Sequence, residues 1–371
     1  MNEQRKVPFF NYQGIFEHRR EEYLKTIEDV LSRGAFILQR DGKEFETNVA
    51  EYLQVKHAIG VANCTDGLTL ALQAVGVKAG DEVIFPSHTF VATAASAKAI
   101  GAVPVPVDCG KDHLIDPQSI KKAITSKTKV IMPVQLNGRT SRMDEIQAIA
   151  DQHRLLVVED AAQAFGSTYK GRHAGTFGLA AAFSFYPAKT LGCFGDGGIV
   201  VTNDDHVAET VTLLRDHGRN KEGEIVQWGM NSRLDNLQAA LLNVNLKYYK
   251  ESIHRRREIA ACYHEELGGL SELTLPPAPG SEKDHYDIFQ NYEIEADRRD
   301  DLRSFLQSKG VGTLIQWGGK AVHQLKALQF TQKLPATDRL FERALMLPMH
   351  AVLSNEDVHY VCQQVKAFYR A

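Results

Sequence analysis

Two ionisable residues in this chain occupy positions that favour catalysis. Asp160 follows the apolar run 155–158, which is typical of a buried parallel strand, and Lys189 lies in a later turn rich in glycine, proline and aromatic residues. A lysine in such a turn can form a Schiff base with pyridoxal phosphate (PLP), and an acid at a strand end can keep the pyridine nitrogen of PLP protonated. The pair therefore predicts a PLP enzyme.

Both residues also have simpler interpretations. Most lysines are solvated surface residues, and an aspartate between a strand and a helix is often a helix N-cap. The glycines that follow the lysine would let a flat ligand approach the backbone, but they would equally suit a plain turn before a strand at 199–202. These glycines are Gly192, Gly195, Gly197 and Gly198.

The segment 63–67, Asn-Cys-Thr-Asp-Gly, joins the first predicted strand to a helix. The N-terminus of a helix offers free backbone amides to an anion. Cys64 and Thr65 are therefore candidates for binding the PLP phosphate. The alternative is ordinary capping of the helix by Thr65 or Asp66.

Three more side chains could face the same ligand. Phe90 follows the second predicted strand and could stack on a planar ring, although the segment alone favours an ordinary core aromatic. Gln163 lies about one turn beyond Asp160, and Ser184 precedes Lys189 by five positions. From the residues alone, all three are only candidates for the cofactor site.

Apolar runs and helical patterns alternate between residues 57 and 205. Several runs are apolar throughout, as expected when helices cover both faces of a sheet. The sequence therefore predicts an α/β fold whose large domain has a mostly parallel seven-stranded sheet sandwiched by helices. The predicted strands are 57–62, 82–85, 103–107, 129–134, 155–158, 181–185 and 199–202, and the predicted helices include 16–33, 43–53, 66–74, 89–100 and 143–153.

A smaller C-terminal α/β domain is predicted for residues 276–371, after a large domain over 1–275. Long helical patterns over 233–268 are interrupted by the proline-containing segment 275–285. Beyond it, residues 286–294 alternate like a strand with an exposed face, and helical patterns follow at 298–309, 337–345 and 355–369. We expect the N-terminal segment to join this smaller domain.

Composition and missing motifs exclude several other classes of protein. The net charge of -3 gives no reason to expect nucleic acid or an anionic membrane as a partner, and no apolar run has the length of a membrane span. The five cysteines never form a CxxC pair, which argues against a disulfide framework and a thiolate metal site and favours the cytoplasm. The GxxxxGK[ST], GxGxxG, HExxH and GxSxG motifs of phosphate, dinucleotide, zinc and hydrolase sites are not found.

Taken in order, these segments resemble the DegT/StrS family of sugar aminotransferases, which have the fold-type-I aminotransferase architecture. The resemblance runs from Phe36-Ile37-Leu38 to Leu347-Pro348-Met349. It implies that L-glutamate donates an amino group to a nucleotide-linked keto sugar. It also implies that Lys189 forms the Schiff base and that Asp160 pairs with the pyridine nitrogen.

The resemblance extends to the other cofactor contacts. Cys64, Thr65 and Ser184 lie where the family binds the PLP phosphate. Phe90 takes the place of the aromatic residue that stacks on the ring, and Gln163 neighbours the ring hydroxyl.

One further segment implies a partner subunit. Residues 228–235 match the family's G-x-N-x-R motif, whose asparagine reaches the PLP phosphate of the neighbouring subunit. Asn231 therefore implies a homodimer with shared active sites, and Arg233 is a candidate contact for a substrate anion.

The residues around the lysine bear on the sugar. Family members that aminate carbon 3 of a ketosugar commonly read F-x-P-x-K-x-L-G followed by GD-x-G, which Tyr186-Pro187 and Gly195-Asp196 resemble, whereas those that aminate carbon 4 more often carry a histidine before the lysine. The segment 316–320, QWGGK, replaces a His-Tyr-Pro segment near the sugar. Tyr186, Trp317 and His323 are candidate sugar contacts, and a 3-keto sugar of UDP or dTDP is favoured.

Other functions share part of this pattern. A PLP sugar dehydratase of the same fold would carry histidine in place of Lys189. A 4-ketosugar aminotransferase, or an enzyme that makes a cyclitol or aromatic amine, would use the same scaffold. A PLP-binding sensor without catalysis is the alternative from another class, and a half-reaction with glutamate separates it from an enzyme.

Overall fold

The computed structural model describes residues 5–370. Its helices are α1 Tyr12–His18, α2 Arg20–Ser32, α3 Arg40–Leu53, α4 Cys64–Ala74, α5 Val91–Ala99, α6 Pro117–Ala123, α7 Met143–His153, α8 Asp205–Leu214, α9 Asn236–Lys247, α10 Tyr249–Leu267, α11 Arg299–Ser308, α12 Pro335–Arg343 and α13 Asn355–Arg370. Its strands are β1 His57–Val61, β2 Glu82–Pro86, β3 Val103–Val107, β4 Thr128–Ile131, β5 Leu156–Asp160, β6 Thr168–Tyr169, β7 Arg172–His173, β8 Ala180–Ser184, β9 Gly198–Thr202, β10 Leu273–Thr274, β11 His285–Tyr286, β12 Tyr292–Ala296 and β13 Ala344–Leu347.

The largest sheet has seven strands in the order β1-β9-β8-β5-β4-β2-β3. Strand β9 runs antiparallel to both of its neighbours, and the other strands run in one direction. The predicted mostly parallel sheet of seven strands is therefore confirmed. Strand β5, which ends at Asp160, lies at its centre.

Helices cover both faces of this sheet. Within β5, Val158 packs in a core with residues of α4, α5 and α8, while its neighbour Val157 packs in a separate core with residues of α6 and α7. Successive side chains of a strand point to opposite faces. A strand buried on both faces must therefore be apolar throughout, which explains the continuous runs in the sequence.

A second, antiparallel sheet of three strands, β10-β12-β13, is associated with a core of its own. Helices α10, α11 and α13 contribute to this core, and Val7 joins it and pairs with Val311. The N-terminal residues thus contact the C-terminal part of the chain. The boundary between residues 275 and 276 stays a prediction.

Three predicted elements differ from the structure. Residues 286–294 do not form one strand, because β11 pairs with β6, β12 pairs with β13, and Phe289 turns the chain between them with a φ of +51°. The helix predicted over 337–345 ends at Arg343, where β13 begins as a fully buried apolar strand. The helix predicted over 16–33 is divided into α1 and α2 at Arg19.

All five cysteines are free thiols. Over the described range 5–370, no helix combines the length and the apolar composition that a membrane crossing requires.

Candidate active site

The carboxyl ends of the parallel strands border a cavity of about 510 Å³. This edge is where open α/β sheets bind their ligands, since the loops that follow parallel strands meet there. The cavity brings together seven of the predicted cofactor contacts, which come from widely separated parts of the chain. They are Cys64, Thr65, Phe90, Asp160, Gln163, Ser184 and Lys189.

Asp160, which is only 5 % exposed, is held by two hydrogen bonds. Thr93 Oγ1 donates to its Oδ2 at 2.7 Å, and the Ala162 N–H donates to its Oδ1 at 3.1 Å. Turns rather than a helix follow Asp160, so the alternative that it is a helix N-cap is wrong. Burial raises the pKa of Asp160, against these hydrogen bonds and the charge of Lys189, and a cationic ligand group would favour the ionised form.

Lys189 lines the cavity, so the alternative of a solvated surface lysine is wrong. Burial lowers the pKa of its ammonium group, and the nearby Cys64 and Asp160 oppose that change. A lysine with a lowered pKa is more often neutral, and the neutral amine is the form that attacks a carbonyl. The site therefore favours Schiff-base formation at Lys189.

The side chain of Gln290 fixes the backbone on both sides of this lysine. Its Oε1 accepts a hydrogen bond from the Thr190 N–H at 2.7 Å, and its Nε2 donates to the Ala188 carbonyl at 2.8 Å. Its own carbonyl accepts from Nη1 of the buried Arg256 at 3.1 Å. The lysine turn is thus tied to α10 through a buried glutamine.

Phe90 and Gln163 present complementary groups to the cavity. Phe90 is 54 % exposed and lies at the N-terminus of α5, so the alternative of a core aromatic is wrong and a ring face is available for stacking. Gln163 Oε1 accepts from the Asn137 N–H at 2.8 Å and from Asn291 Nδ2 at 3.3 Å. Because its oxygen is occupied, the amide nitrogen of Gln163 is the group left to donate to a ligand.

The N-terminus of α4 forms the other end of the cavity. Asn63, not Thr65 or Asp66, is the N-cap, and its side chain accepts from the Asp66 N–H at 2.8 Å. The N–H groups of Cys64 and Thr65 lie in the first turn of α4, where no helix carbonyl is available to accept from them. They therefore remain available to an anion, together with the Thr65 hydroxyl. The capping alternative for Thr65 is therefore wrong.

Two glycines of the turn after the lysine allow backbone segments to pack closely. A Cβ at Gly198 would lie 2.5 Å from the Asn63 carbonyl carbon and 2.7 Å from the Cys64 nitrogen, and a Cβ at Gly192 would lie 2.9 Å from the Pro187 oxygen. These glycines permit close packing of backbone against backbone, including the approach of the α4 N-terminus to β9. The predicted approach of a flat ligand to this turn stays a prediction.

The family model for the DegT/DnrJ/EryC1/StrS aminotransferases matches residues 17–366. The chain belongs to this family. A protein of Geobacillus stearothermophilus described as a pleiotropic regulatory protein is 39 % identical over 98 % of this chain and 99 % of its own length. A dTDP-3-amino-3,4,6-trideoxy-alpha-D-glucose transaminase of Streptomyces venezuelae is 42 % identical over 84 % of this chain and 82 % of its own length. Among solved structures, S. venezuelae DesV in complex with a ketimine intermediate matches with a TM-score of 0.94, at 38 % identity, over 99 % of both chains.

Aminotransferases of this family depend on PLP, so the predicted cofactor is confirmed. The cavity fits it in kind: it offers a lysine amine, a carboxylate with unused lone pairs, an exposed aromatic face and a helix N-terminus. Each of these groups matches one part of PLP, namely the aldehyde, the ring nitrogen, the ring face and the phosphate. The contacts of individual residues stay predictions.

The predicted substrate contacts divide into two groups. Tyr186 and Trp317 line the cavity. Arg233 and His323 lie outside it: Arg233 Nη1 donates to Asp216 at 2.8 Å, and the His323 ring nitrogens lie 2.7 Å from Ser87 Oγ and 3.0 Å from Asp338 Oδ1. Asn231, predicted to act in the neighbouring subunit, is exposed and also lies outside the cavity of its own chain.

Sequence reasoning missed the residues that make hydrogen bonds to Asp160, to Gln163 and to the turn that contains Lys189. Thr93 lies inside a helix pattern, and Gln290 and Asn291 lie inside the pattern mistaken for a strand. Asn137 follows β4 by six positions, and the polar residues after that run were the available signal. The two polar residues at 290–291 interrupt an apolar alternation, which could have marked them as turned toward a site.

Proposed function

We propose that this protein is a PLP-dependent aminotransferase that transfers the amino group of L-glutamate to carbon 3 of a keto sugar linked to UDP or dTDP, in the synthesis of a deoxyamino sugar. The observation that supports this proposal most is the meeting of Lys189 and Asp160 in one cavity at the end of the central strand. Phe90 and Gln163 border the same cavity, so the groups needed to bind, orient and activate PLP lie together.

The proposed mechanism assigns one task to each of these residues. When bound, PLP supplies the electron sink that lets a proton leave the α carbon of the amino acid. Lys189 would hold the cofactor through its amine. Once freed by the substrate amine, Lys189 would accept the proton of the α carbon as a base and return it to the cofactor as an acid. Asp160 keeps the pyridine nitrogen protonated, and Gln163 donates a hydrogen bond to the ring oxygen. The order of events is ping-pong, because one site serves both substrates in turn.

Two observations favour a 3-keto sugar. Relatives at similar identity include an enzyme named for a 3-amino dTDP-sugar. In this chain, Tyr186 and Asp196, which belong to the segments typical of carbon-3 enzymes, both line the cavity. Tyr186 is 51 % exposed there and has a ring free to contact a sugar.

A substrate comparison tests the proposed function. Purified protein loaded with PLP is mixed with glutamate and either 3-keto or 4-keto sugars of UDP and dTDP. We expect 2-oxoglutarate and an amino sugar to form with a 3-keto substrate, as followed by mass spectrometry. Amination of the 4-keto sugars alone would contradict the assignment to carbon 3, and amination of cyclitols alone would contradict the assignment to sugar nucleotides.

A PLP-binding sensor is the second candidate, because a relative is described as a regulatory protein. The two candidates differ in one reaction. An aminotransferase converts bound PLP to its amine form when glutamate alone is added, which changes the cofactor absorbance and releases 2-oxoglutarate, whereas a sensor without catalysis does neither.

We also infer that the protein acts as a homodimer in which Asn231 completes the partner's site. Asn231 is exposed, and the residues just before it expose apolar surface of a kind that subunit interfaces bury: Ile225 is 61 %, Val226 55 % and Trp228 95 % exposed. Asn231 as a contact to the partner's PLP phosphate accounts for its distance from the cavity of its own chain.

Mixing two defective proteins tests this shared site. The Lys189→Ala variant lacks the catalytic amine, and an Asn231→Asp variant places a negative charge against the partner's phosphate. In a mixed dimer one site has both Lys189 and Asn231 intact, so a random mixture should recover about a quarter of wild-type activity. Mixing Lys189→Ala with Asp160→Asn is the control, since each of its sites keeps one defect. No recovery after confirmed subunit exchange would contradict the shared site.

We propose two further assignments that agree with this function. The chain divides into a large PLP-binding domain, residues 1–275, and a smaller domain, residues 276–371. The separate core around β12 and β13 supports a second domain, and Val7 and α10 from the first range also pack into that core. A cytoplasmic location is supported by the five free cysteines, since thiols persist in a reducing compartment.

A further inference from the structure

A buried carboxylate, Glu293 on β12, lies next to the cofactor cavity. The residue is only 3 % exposed, and its Oε1 accepts from Asn137 Nδ2 at 3.1 Å while its Oε2 accepts from Gln316 Nε2 at 2.6 Å. Although burial alone would raise the pKa of Glu293, His88 and His113 hold that pKa well below its ordinary value. The group is therefore a fixed negative charge and only accepts hydrogen bonds.

This fixed acceptor determines how a series of amides must point. Because a carboxylate cannot donate, the amide nitrogens of Asn137 and Gln316 must face it. Asn137 Oδ1 is then the acceptor for Asn291 Nδ2 at 2.9 Å and for Gln316 Nε2 at 3.0 Å. Asn291 Nδ2 in turn lies 3.3 Å from Gln163 Oε1. The orientation of three amide groups, those of Asn137, Gln316 and Asn291, thus follows from one charge.

Asn137 also reaches Gln163 through its backbone. Its N–H donates to Gln163 Oε1 at 2.8 Å, from a turn in which Asn137 has a φ of +55°. That left-handed conformation is unfavourable for most residues and is tolerated by asparagine. The three side-chain hydrogen bonds of Asn137 hold it in this conformation and so hold its N–H on Gln163.

We propose that Glu293 and Asn137 are positioning residues that fix the Gln163 amide with its nitrogen toward the cavity, where it donates a hydrogen bond to the ring oxygen of PLP. The proposal rests on the proposed position of Gln163 beside that oxygen. The smaller sheet, through β12, thereby controls the charge state of a cofactor bound at the edge of the larger one.

The test is a pH titration of the absorbance of PLP bound to Lys189. A donor at the ring oxygen stabilises the deprotonated Schiff base, in which no protonated imine nitrogen compensates the negative charge of that oxygen. Loss of the donor therefore raises the pKa of the Schiff base. Gln163→Leu should raise it by about one pH unit, the size of one hydrogen bond to a charged oxygen. Glu293→Gln has nearly the same shape but can donate, and should shift the pKa in the same direction by a smaller amount.

A double variant and a matched control separate positioning from general damage. If Glu293 acts through Gln163, then Glu293→Gln adds no further shift in the Gln163→Leu background. Glu295→Gln removes a carboxylate two residues along β12 that also contacts His113, but that makes no hydrogen bond to Asn137 or Gln316, and should leave the titration unchanged. Asn137→Gly tolerates the same φ but loses the three side-chain hydrogen bonds that hold it there, so it should shift the pKa in the same direction as Glu293→Gln and is the second variant if Glu293→Gln does not fold.

Each other outcome has a definite meaning. An additive shift in the double variant, or an equal shift from Glu295→Gln, would overturn the positioning role while leaving the aminotransferase proposal intact. No shift from Gln163→Leu would show that Gln163 does not donate to the ring oxygen and would overturn the inference as well. Failure of the wild-type protein to give any cofactor absorbance would instead overturn the proposed PLP site.

Discussion

Replacing Lys189 with alanine is expected to remove both the absorbance of covalently held PLP and all measurable turnover. Lys189 lines the cavity, its pKa is lowered by burial, and the amine is the only nucleophile in our proposal that both holds the cofactor and carries the proton. Loss of a residue with two such tasks removes several orders of magnitude of rate, because no neighbouring group replaces it. The measurement is the absorbance of the purified protein together with 2-oxoglutarate release.

The control for this variant is Lys98→Ala, which removes an exposed lysine on α5. It should keep the cofactor spectrum and the turnover of the wild type. Borohydride reduction followed by peptide mapping adds a direct assignment, since only the lysine bound to PLP gains the mass of the reduced cofactor. Turnover that persists in Lys189→Ala, or label on a different lysine, would remove the basis of the proposed mechanism.

The central strands of the large sheet could be predicted because they are buried on both faces. Val157 and Val158 pack into different cores, so neither could be polar, and the resulting continuous run is a signal that needs no tertiary information. The catalytic edge followed from the same reasoning, since side chains after parallel strands must meet there. The position of Asp160 therefore made it a candidate, and the resemblance to the family implied its role.

The residues that support the predicted cofactor contacts could not be predicted in this way. Gln290 contacts Ala188 and Thr190 across 102 and 100 positions of the chain, and Asn291 contacts Gln163 across 128. Local patterns carry no information about such pairs. Here the pattern was misleading, because residues 286–294 alternate like a strand, while Phe289 turns the chain so that the polar residues face the cavity.

The sequence also could not decide between the functional and the structural interpretation of single residues. Thr65 is a possible helix cap until the structure shows that Asn63 fills that position, and Phe90 is a possible core residue until it proves to be more than half exposed. Burial and capping depend on where an element begins relative to its neighbours. A shift of two residues, from the predicted helix start at 66 to Cys64, decides which side chain faces the ligand.

Replacing Asp160 with asparagine is expected to leave PLP bound and to slow transamination by about two to three orders of magnitude. The amide is nearly the same size, and Lys189 still holds the cofactor, so binding is largely retained. Asparagine lacks the negative charge that pairs with a protonated ring nitrogen, and the neutral ring is a weaker electron sink. One of the two donors, Thr93 Oγ1 or the Ala162 N–H, must also face an amide nitrogen instead of an oxygen.

A Thr93→Val variant separates the charge of Asp160 from its orientation. Valine matches the shape of threonine but cannot donate, so the carboxylate keeps its charge and loses one of its two hydrogen bonds. We expect a decrease of about tenfold, the equivalent of one hydrogen bond to a charged group, with the cofactor absorbance preserved. Both rates are measured as the single-turnover conversion of bound PLP by glutamate, which excludes effects on sugar binding. If Asp160→Asn reacts as fast as Thr93→Val, then orientation rather than charge is what the carboxylate supplies, and its proposed pairing with the ring nitrogen is wrong.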